Sequence, residues 1–569
     1  MSSYGKLNRI ELRRLVNPLL IVGPATSLAI SPTFNFDPIN LIKTLIYVSI
    51  AFYCVGILIA NPNLLSQKLG KKFIVVCGIF ILFLTVPLFF TSAPIDQQIW
   101  GNFGRNTGYL AYLSLLFLTI GSATIQNRNF YKKLNFSLIF TTIPMSIYCL
   151  IQIAKLDPFN WSTFDIFGTL GNANFLSAFL AMGAIACLVI SFESGNTKIN
   201  RISLVLISVV AFLITVRTNS IQGPLIYVAG TGISLFFYIR SNYRLRRFRY
   251  YYFLLGVLGF SLAISGLFNK GPLARIIFQP SVLYRADYMH AGWEMTKNHL
   301  LTGVGLDSYG DWYRESRGLI STTRTGPERT SNTAHNIFLD ISSGGGIFLL
   351  LSYLAILSFA FFIALRHFKK VSHFDPVFTS IFSIWCAYQI QSFISINQVG
   401  VGIWGWLLTG ALIGYPRDNI QNEVLKNHSN RVKSKKTARA KSNKTLDAKT
   451  GISSFVMLVL GFILAFIPFN ADHKYYSAYS ARDLNAMMNA VKTLGSTSWH
   501  ISQVIETSMK NNYVAQASEM DNYLLQRNPR DFFAWRVRYY LSTSTPDQKL
   551  EALKMLKKLD PYNPEIPRS

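Results

Sequence analysis

The chain has 569 residues, of which 50% are hydrophobic and only 14% are charged, and this composition is too apolar for a soluble domain of such length. Long apolar runs instead indicate a membrane protein that crosses the bilayer many times. The formal net charge of +28 does not indicate nucleic-acid binding, because Lys and Arg cluster in short segments between the apolar runs.

The apolar runs predict an all-α polytopic membrane protein with about 13 transmembrane helices. We expect no cleavable signal peptide, because no small-residue cleavage site follows the first run. The predicted spans are 15–31, 41–60, 73–91, 108–125, 134–154, 170–192, 202–216, 223–239, 250–268, 346–365, 376–396, 402–415 and 452–469.

Basic clusters precede the first span and follow every even-numbered span. Because cytoplasmic loops carry the excess of Lys and Arg, this alternation predicts a cytoplasmic N-terminus. The large loop 269–345 follows an odd-numbered span, so we expect it outside the cytoplasm, together with the extracytoplasmic C-terminus. The chain divides into a membrane domain (1–415), a basic cytoplasmic linker (416–451), the last transmembrane helix (452–469) and an extracytoplasmic helical region (470–569).

The C-terminal region is polar, with apolar residues at helical spacing. Asn528-Pro529 and Asn563-Pro564 recur 35 residues apart, and each closes an amphipathic segment. This pattern resembles tetratricopeptide helix pairs, whose repeat is about 34 residues. A plain helical cap packed on the membrane domain explains the pattern equally well.

The external loop carries an ordered set of motifs. These are Arg285, Trp293, Leu301-Thr302-Gly303-Val304-Gly305 with Tyr309, and His335-Asn336-x-Phe338-Leu339 with Gly344 and Gly346. The set resembles the O-antigen ligase and polymerase superfamily of bacterial membrane glycosyltransferases, with Leu300 where the family has Pro.

Two further stretches look like the same superfamily. The segment 171–176, Gly-Asn-Ala-Asn-Phe-Leu, resembles its "GNxNxLA" motif. The segment 217–223 lies where members often have "SRG", but here Ser220 is followed by Ile221. Arg217, one helical turn away, is the candidate replacement for the missing Arg.

The resemblance implies transfer of a glycan from undecaprenyl diphosphate to an acceptor hydroxyl, and it makes 1–415 a transferase domain whose catalytic loop is 269–345. Arg suits the diphosphate, because guanidinium stays charged and binds phosphate oxygens with two donors. His suits removal of the acceptor proton, since its ordinary pKa is about 6.5. We therefore predict catalytic roles for His335 and Arg285. The predicted substrate-binding residues are Arg217, Arg324, Arg329, Asn336 and Tyr309, of which Asn336 is expected to orient His335 or the loop.

ATP and nucleotide sugars are cytoplasmic, so an external site needs a donor that is already activated, and a lipid-linked glycan meets that need. We expect a lipid, glycan or protein acceptor, contact with membrane lipids, no nucleic acid, no cofactor and no metal. The leading prediction is a transferase of the bacterial inner membrane most like an O-antigen ligase, in lipopolysaccharide biosynthesis. A repeat-unit polymerase, a protein O-oligosaccharyltransferase and a solute transporter remain alternatives.

Overall fold

A computed structural model describes residues 3–159, 161, 166–429 and 442–567. This part of the chain holds helices and no β-strand, so the all-α prediction is confirmed. In the first half of the chain the helices are α1 Ser3–Leu28, α2 Asn40–Ala60, α3 Pro62–Lys68, α4 Lys71–Phe90, α5 Ile95–Trp100, α6 Tyr109–Ile125, α7 Arg128–Ile153, α8 Ala173–Ile190, α9 Lys198–Arg217, α10 Gln222–Ser241 and α11 Arg249–Leu267. The second half contains α12 Ala274–Ile277, α13 Pro280–Asn298, α14 Tyr309–Ser316, α15 Leu319–Thr325, α16 Ile337–Lys370, α17 Pro376–Ser392, α18 Val399–Ser429, α19 Ser442–Ser480, α20 Leu484–Val491, α21 Ser498–Lys510, α22 Val514–Arg527, α23 Phe532–Tyr540 and α24 Pro546–Leu559.

Ten helices among the described residues are long and apolar enough to cross a membrane. Each of the thirteen predicted spans falls on a helix, but three of these helices are not among the ten: α1, and α6 and α17, which have 17 residues each. The chain is therefore a multi-pass membrane protein, while the count of thirteen stays a prediction. The predicted linker 416–451 lies partly on 430–441, outside the described residues.

Apolar side chains cover both the interior of the bundle and its outer faces. In α18, 94% of the residues of the membrane-crossing window are buried, whereas only 6% are buried in the window that contains α11. Phe253, Leu254 and Phe260 of α11 are each more than half exposed. A helix that is apolar on all sides yet exposed is stable in contact with lipid chains, which supports the membrane assignment.

The loop between α11 and α16 folds back on α16 at a point where glycine is required. Gly346 has φ 79° and bends α16, and an added Cβ there would lie 2.4 Å from the Leu301 carbonyl oxygen. Gly303 has φ 65°, and Val304 N donates to Ser343 O at 2.7 Å. Only glycine tolerates both the left-handed backbone and so close an approach. The "LTGVG" and glycine-rich motifs thus meet, which fixes the loop to the bundle.

The C-terminal helices α20–α24 have a core of their own, which includes Ile501, Met520 and Leu556. This region contacts the loop between α11 and α16 through ion pairs. Asp560 accepts from Arg317 at 2.7 Å and from Arg314 at 2.9 Å, and both Arg317 and Asp560 are 1% exposed. A buried, bidentate guanidinium–carboxylate pair holds the two parts in one geometry. The tetratricopeptide resemblance stays a prediction.

Candidate functional site

The site is built around His335, in the turn that precedes α16. Its backbone has φ 52°, a left-handed conformation that is uncommon for non-glycine residues but less so for His. The turn is held by His335 N, which donates to Thr333 Oγ1 at 2.9 Å, and by Ala334 N, which donates to Asp340 Oδ1 at 2.7 Å. The imidazole stacks on the Tyr288 ring, with centroids 5.3 Å apart. The turn and the stacked ring together fix the orientation of the imidazole.

The charge state of His335 is set by burial and by two arginines. Burial lowers its pKa to about 3, and the positive charges of Arg105 and Arg285 act in the same direction. The imidazole is therefore neutral at physiological pH, and it can accept a proton once a nearby negative charge raises that low pKa. Among the described residues, no partner hydrogen-bonds to either ring nitrogen, so the nitrogens are available to a substrate.

Arg285 lies on α13, three residues and so about one helical turn before Tyr288. Burial lowers the pKa of its guanidinium, which nevertheless stays charged at neutral pH. Within the described chain it forms no ion pair. A half-buried, unpaired cation beside a neutral imidazole is suited to an anionic ligand.

Arg105, in the turn between α5 and α6, was not among the residues predicted from the sequence. Its guanidinium donates to Asn332 Oδ1 from Nε at 3.0 Å and from Nη2 at 2.5 Å. The turn is anchored by Asp307, whose Oδ2 accepts from Asn102 N at 2.7 Å and from Thr107 N at 3.2 Å. The described residues include no carboxylate paired with Arg105. A second cation is thus held beside His335.

His335 and Arg105 line a cleft of about 520 Å³ between the α11–α16 loop and the C-terminal region. Its lining is rich in guanidinium, carboxylate, amide and hydroxyl groups. The lining residues are Arg105, Tyr288, Gly310, Asp311, Arg314, Thr330, Ser331, Asn332, His335, Arg530, Asp531, Phe532, Phe533, Arg536 and Leu559. Such a cleft suits a polar ligand that carries negative charge.

Neither Arg285 nor the predicted substrate-binding arginines are among these lining residues. Arg324 forms an ion pair with Asp287 at 3.1 Å, and Arg329 lies over the Tyr284 ring at 4.6 Å. Arg217 is exposed at the end of α9. Their roles in substrate binding stay predictions.

The other two predicted substrate-binding residues use their polar groups within the protein. Asn336 caps α16, since its Oδ1 accepts from Phe338 N and Leu339 N, and its Nδ2 donates to Phe393 O. Tyr309 is 4% exposed and its hydroxyl donates to Tyr288 O at 2.6 Å. These contacts support the turn that carries His335, while a direct contact with substrate stays a prediction.

The two further family-like stretches are joined to each other. Ser220 Oγ donates to Asn174 Oδ1 at 2.8 Å, and Ser177 Oγ donates to Ser220 Oγ at 3.0 Å. Within the described part of the chain, no group of three or more His, Cys, Asp or Glu converges to hold a metal ion. The expectation of a metal-independent reaction stays a prediction.

Residues 202–354 match a family model described as O-Antigen ligase. This range includes Arg217, Arg285 and His335, but not Arg105 or the C-terminal region. No curated protein matches the chain.

Proposed function

Because residues 202–354 place this chain in the O-antigen ligase and polymerase superfamily of membrane glycosyltransferases, we propose that it moves a glycan from a polyprenyl diphosphate to an acceptor hydroxyl. The observation that carries the proposal is that His335 and Arg105 line one cleft, with Arg285 on the helix whose Tyr288 stacks on the His335 ring. The charge pattern of the loops supports a site on the external face, where a lipid-linked glycan is the available activated donor.

In the proposed reaction the acceptor oxygen attacks the anomeric carbon of the donor glycan, and configuration inverts. The bond between that carbon and the diphosphate oxygen breaks, and polyprenyl diphosphate leaves. One His335 ring nitrogen takes the acceptor proton. Arg285 and Arg105 stabilise the negative charge that builds up on the diphosphate. A base that is neutral at working pH and cations that stay charged are what this reaction requires.

The pH dependence of transfer should reflect the lowered pKa of His335. A general base works only when neutral, so its rate falls as pH drops through its pKa. Because that pKa is about 3 in the free protein, we expect kcat/KM to stay level as pH falls through 6.5 and to drop only as pH approaches that pKa. The bound diphosphate is negative and favours the imidazolium, so the acid limb of kcat should lie at higher pH than that of kcat/KM. An acid limb of kcat/KM at or above pH 6.5 that His335→Asn removes would contradict this account.

Arg285 should contribute a charge-assisted contact to the diphosphate. Arg285→Ala should cost about 1.5–3 kcal/mol, which corresponds to a loss of roughly tenfold to a hundredfold. Arg285→Lys should lose part of this, because Lys keeps the charge but not the planar fork. A lower apparent affinity for the donor indicates ground-state binding, and a lower kcat indicates stabilisation of the leaving diphosphate.

The control for Arg285 is Lys297→Gln on the same helix, where Lys297 pairs with Glu294 at 2.8 Å and is about half exposed. It removes the same charge nine residues along α13 from Tyr288, which stacks on His335. If Arg285→Lys behaved as wild type in both constants, Arg285 would be an anchoring residue of α13 and the assignment would be withdrawn.

The acceptor decides between three versions of the proposed function, and we favour the ligase. A deletion strain separates them. Loss of a ligase leaves bare lipid core and long lipid-linked chains. Loss of a polymerase leaves core with one repeat unit, and loss of a protein transferase leaves unmodified glycoproteins.

A transporter is the alternative from another class, because many membrane helices also suit a solute pathway. The polar and charged residues around His335 gather in loops rather than along the interior of the bundle, which favours an enzyme. Solute uptake by the purified protein in liposomes, without any lipid-linked donor, would reverse this ranking.

A further inference from the structure

The turn between α22 and α23, together with the start of α23, forms a wall of the cleft that contains His335. Arg530, Asp531, Phe533 and Arg536 belong to that wall, whereas Arg105 and His335 lie on the loops of the membrane domain. The family match ends at residue 354, so the superfamily assignment says nothing about this wall.

The wall is held in place by contacts with α14. Arg530 forms an ion pair with Glu315 and lies over the Trp312 ring at 3.3 Å. Asn528 Nδ2 donates to Asp311 Oδ1 at 3.1 Å. Together with the buried pair of Arg317 and Asp560, these contacts fix the position of the wall relative to the membrane domain.

The groups on the wall suit a saccharide. Sugar hydroxyls both donate and accept hydrogen bonds, and the wall offers guanidinium donors from Arg530 and Arg536 beside the Asp531 carboxylate. Arg530 Nε is buried and, within the described chain, has no hydrogen-bond partner. The ring of Phe533 offers an apolar surface on which the C–H face of a sugar packs. Asn332 faces these groups across the cleft.

The same lining is poorly suited to a polypeptide. Strand addition, a common way to bind an extended peptide, needs a free strand edge, and the described part of the chain has no strand. A helical peptide needs a continuous apolar groove, whereas charged side chains interrupt the apolar surface of this cleft. The lining therefore favours a polar, hydroxyl-rich chain.

We propose that the C-terminal helical region is a saccharide-binding wall of the active-site cleft, with Arg536, Arg530 and Phe533 as its principal contacts. The inference rests on the proposed transferase function and adds a binding role for a region outside the family match. The bound saccharide belongs either to the acceptor or to the glycan of the lipid-linked donor.

Arg536 and Glu328 allow a matched test, because they pair with each other at 2.6 Å and only Arg536 lines the cleft. Arg536→Ala and Glu328→Gln both break the ion pair, but only the first removes a guanidinium from the wall. The probe is the oligosaccharide released from the polyprenyl-linked glycan of the source cells. Its binding to the purified full chain in detergent is measured by titration calorimetry.

We expect Arg536→Ala to weaken oligosaccharide binding by about tenfold, the size of one charge-assisted hydrogen bond. Glu328→Gln should change it by less than about twofold, since an exposed ion pair contributes little. Equal losses in both variants, or no loss in either, would overturn the proposal. So would weakened binding of an unglycosylated acceptor polypeptide with unchanged binding of the oligosaccharide.

Two further measurements keep the test independent of folding and of transfer. If Arg536→Ala unfolds, Arg536→Lys keeps the ion pair without the planar fork, and unchanged oligosaccharide binding in that variant would overturn the proposal. His290→Ala, a change outside the cleft lining, should bind the oligosaccharide as wild type does. If wild type binds it and no protein transfers it, the proposed function fails while the saccharide wall stands. In active protein, a raised KM for the acceptor or for the donor in Arg536→Ala identifies the source of the saccharide.

Discussion

Replacing His335 with Asn should lower the turnover of glycan transfer by about 10²–10⁴-fold, the usual contribution of a positioned general base. Asn is the informative replacement because the backbone of His335 has φ 52°, which Asn tolerates better than Ala. The variant keeps a polar side chain of similar reach but cannot accept the proton. Turnover is measured as polyprenyl diphosphate released per purified enzyme.

His290→Ala is the control for that variant, because His290 is an exposed residue of α13 outside the cleft lining. It should retain wild-type turnover. A correctly inserted His335→Asn protein with wild-type turnover would remove His335 from the mechanism. Equal losses in both variants would indicate that general damage to the α11–α16 loop causes the effect.

Replacing Asp560 with Asn should release the C-terminal region from the membrane domain. The change leaves the guanidinium groups of Arg317 and Arg314 without their shared carboxylate. Breaking a buried ion pair by removing one partner costs about 3–5 kcal/mol. We therefore expect the open, protease-sensitive population to rise by roughly a hundredfold or more, as measured by the rate at which limited proteolysis cleaves between the two parts.

Glu519→Gln is the comparison for Asp560→Asn. It breaks an ion pair in the same C-terminal region, but the side chains of this pair are about half exposed. Lys492 and Glu519 lie 2.8 Å apart, and their side chains are 42% and 53% exposed. Such a pair contributes about 0–1 kcal/mol, so the proteolysis rate should change little. If both variants behaved alike, the Asp560 carboxylate would not be what holds the C-terminal region in place.

The helical membrane architecture was predictable from the sequence because a bilayer imposes a simple rule. A span must be apolar over about 20 residues, and each predicted span falls on a helix. The ends were less predictable, since the predicted span 452–469 lies within α19, which continues to Ser480. Hydropathy locates the apolar segment that lies in the bilayer. It does not indicate where the helix ends outside the bilayer.

The site was predictable only where a short motif carried it. Arg285 and His335 lie in the motif-bearing loop, whereas Arg105 is about 230 residues away from His335 in the chain and is brought to it by tertiary packing. The sequence signal for Arg105 was its place in a short loop that was predicted to be external. The positive-inside rule disfavours a basic residue in such a loop. The turn at Gly303 and the bend at Gly346 fall on motif glycines, because few other residues adopt those backbone angles.

The cleft wall in the C-terminal region was not predictable, because it depends on how two independently patterned segments dock. The helical spacing around Met520 and Leu556 predicted a helical region, and both residues lie in its core. Nothing in that spacing indicated that Arg317 and Asp560 would form a buried pair. Charged residues read singly suggest solvent-exposed faces, and their partners become visible only in the folded chain.

The most direct test of the central claim is transfer by the purified full chain in liposomes that contain a polyprenyl-diphosphate glycan. The acceptor candidates are lipid core, repeat-unit glycan and protein, supplied without nucleotide sugar. The account predicts release of polyprenyl diphosphate in step with glycosylation of one acceptor, and loss of both in His335→Asn. Absence of glycosylation with every acceptor, or equal release of polyprenyl diphosphate by wild type and His335→Asn, would contradict it.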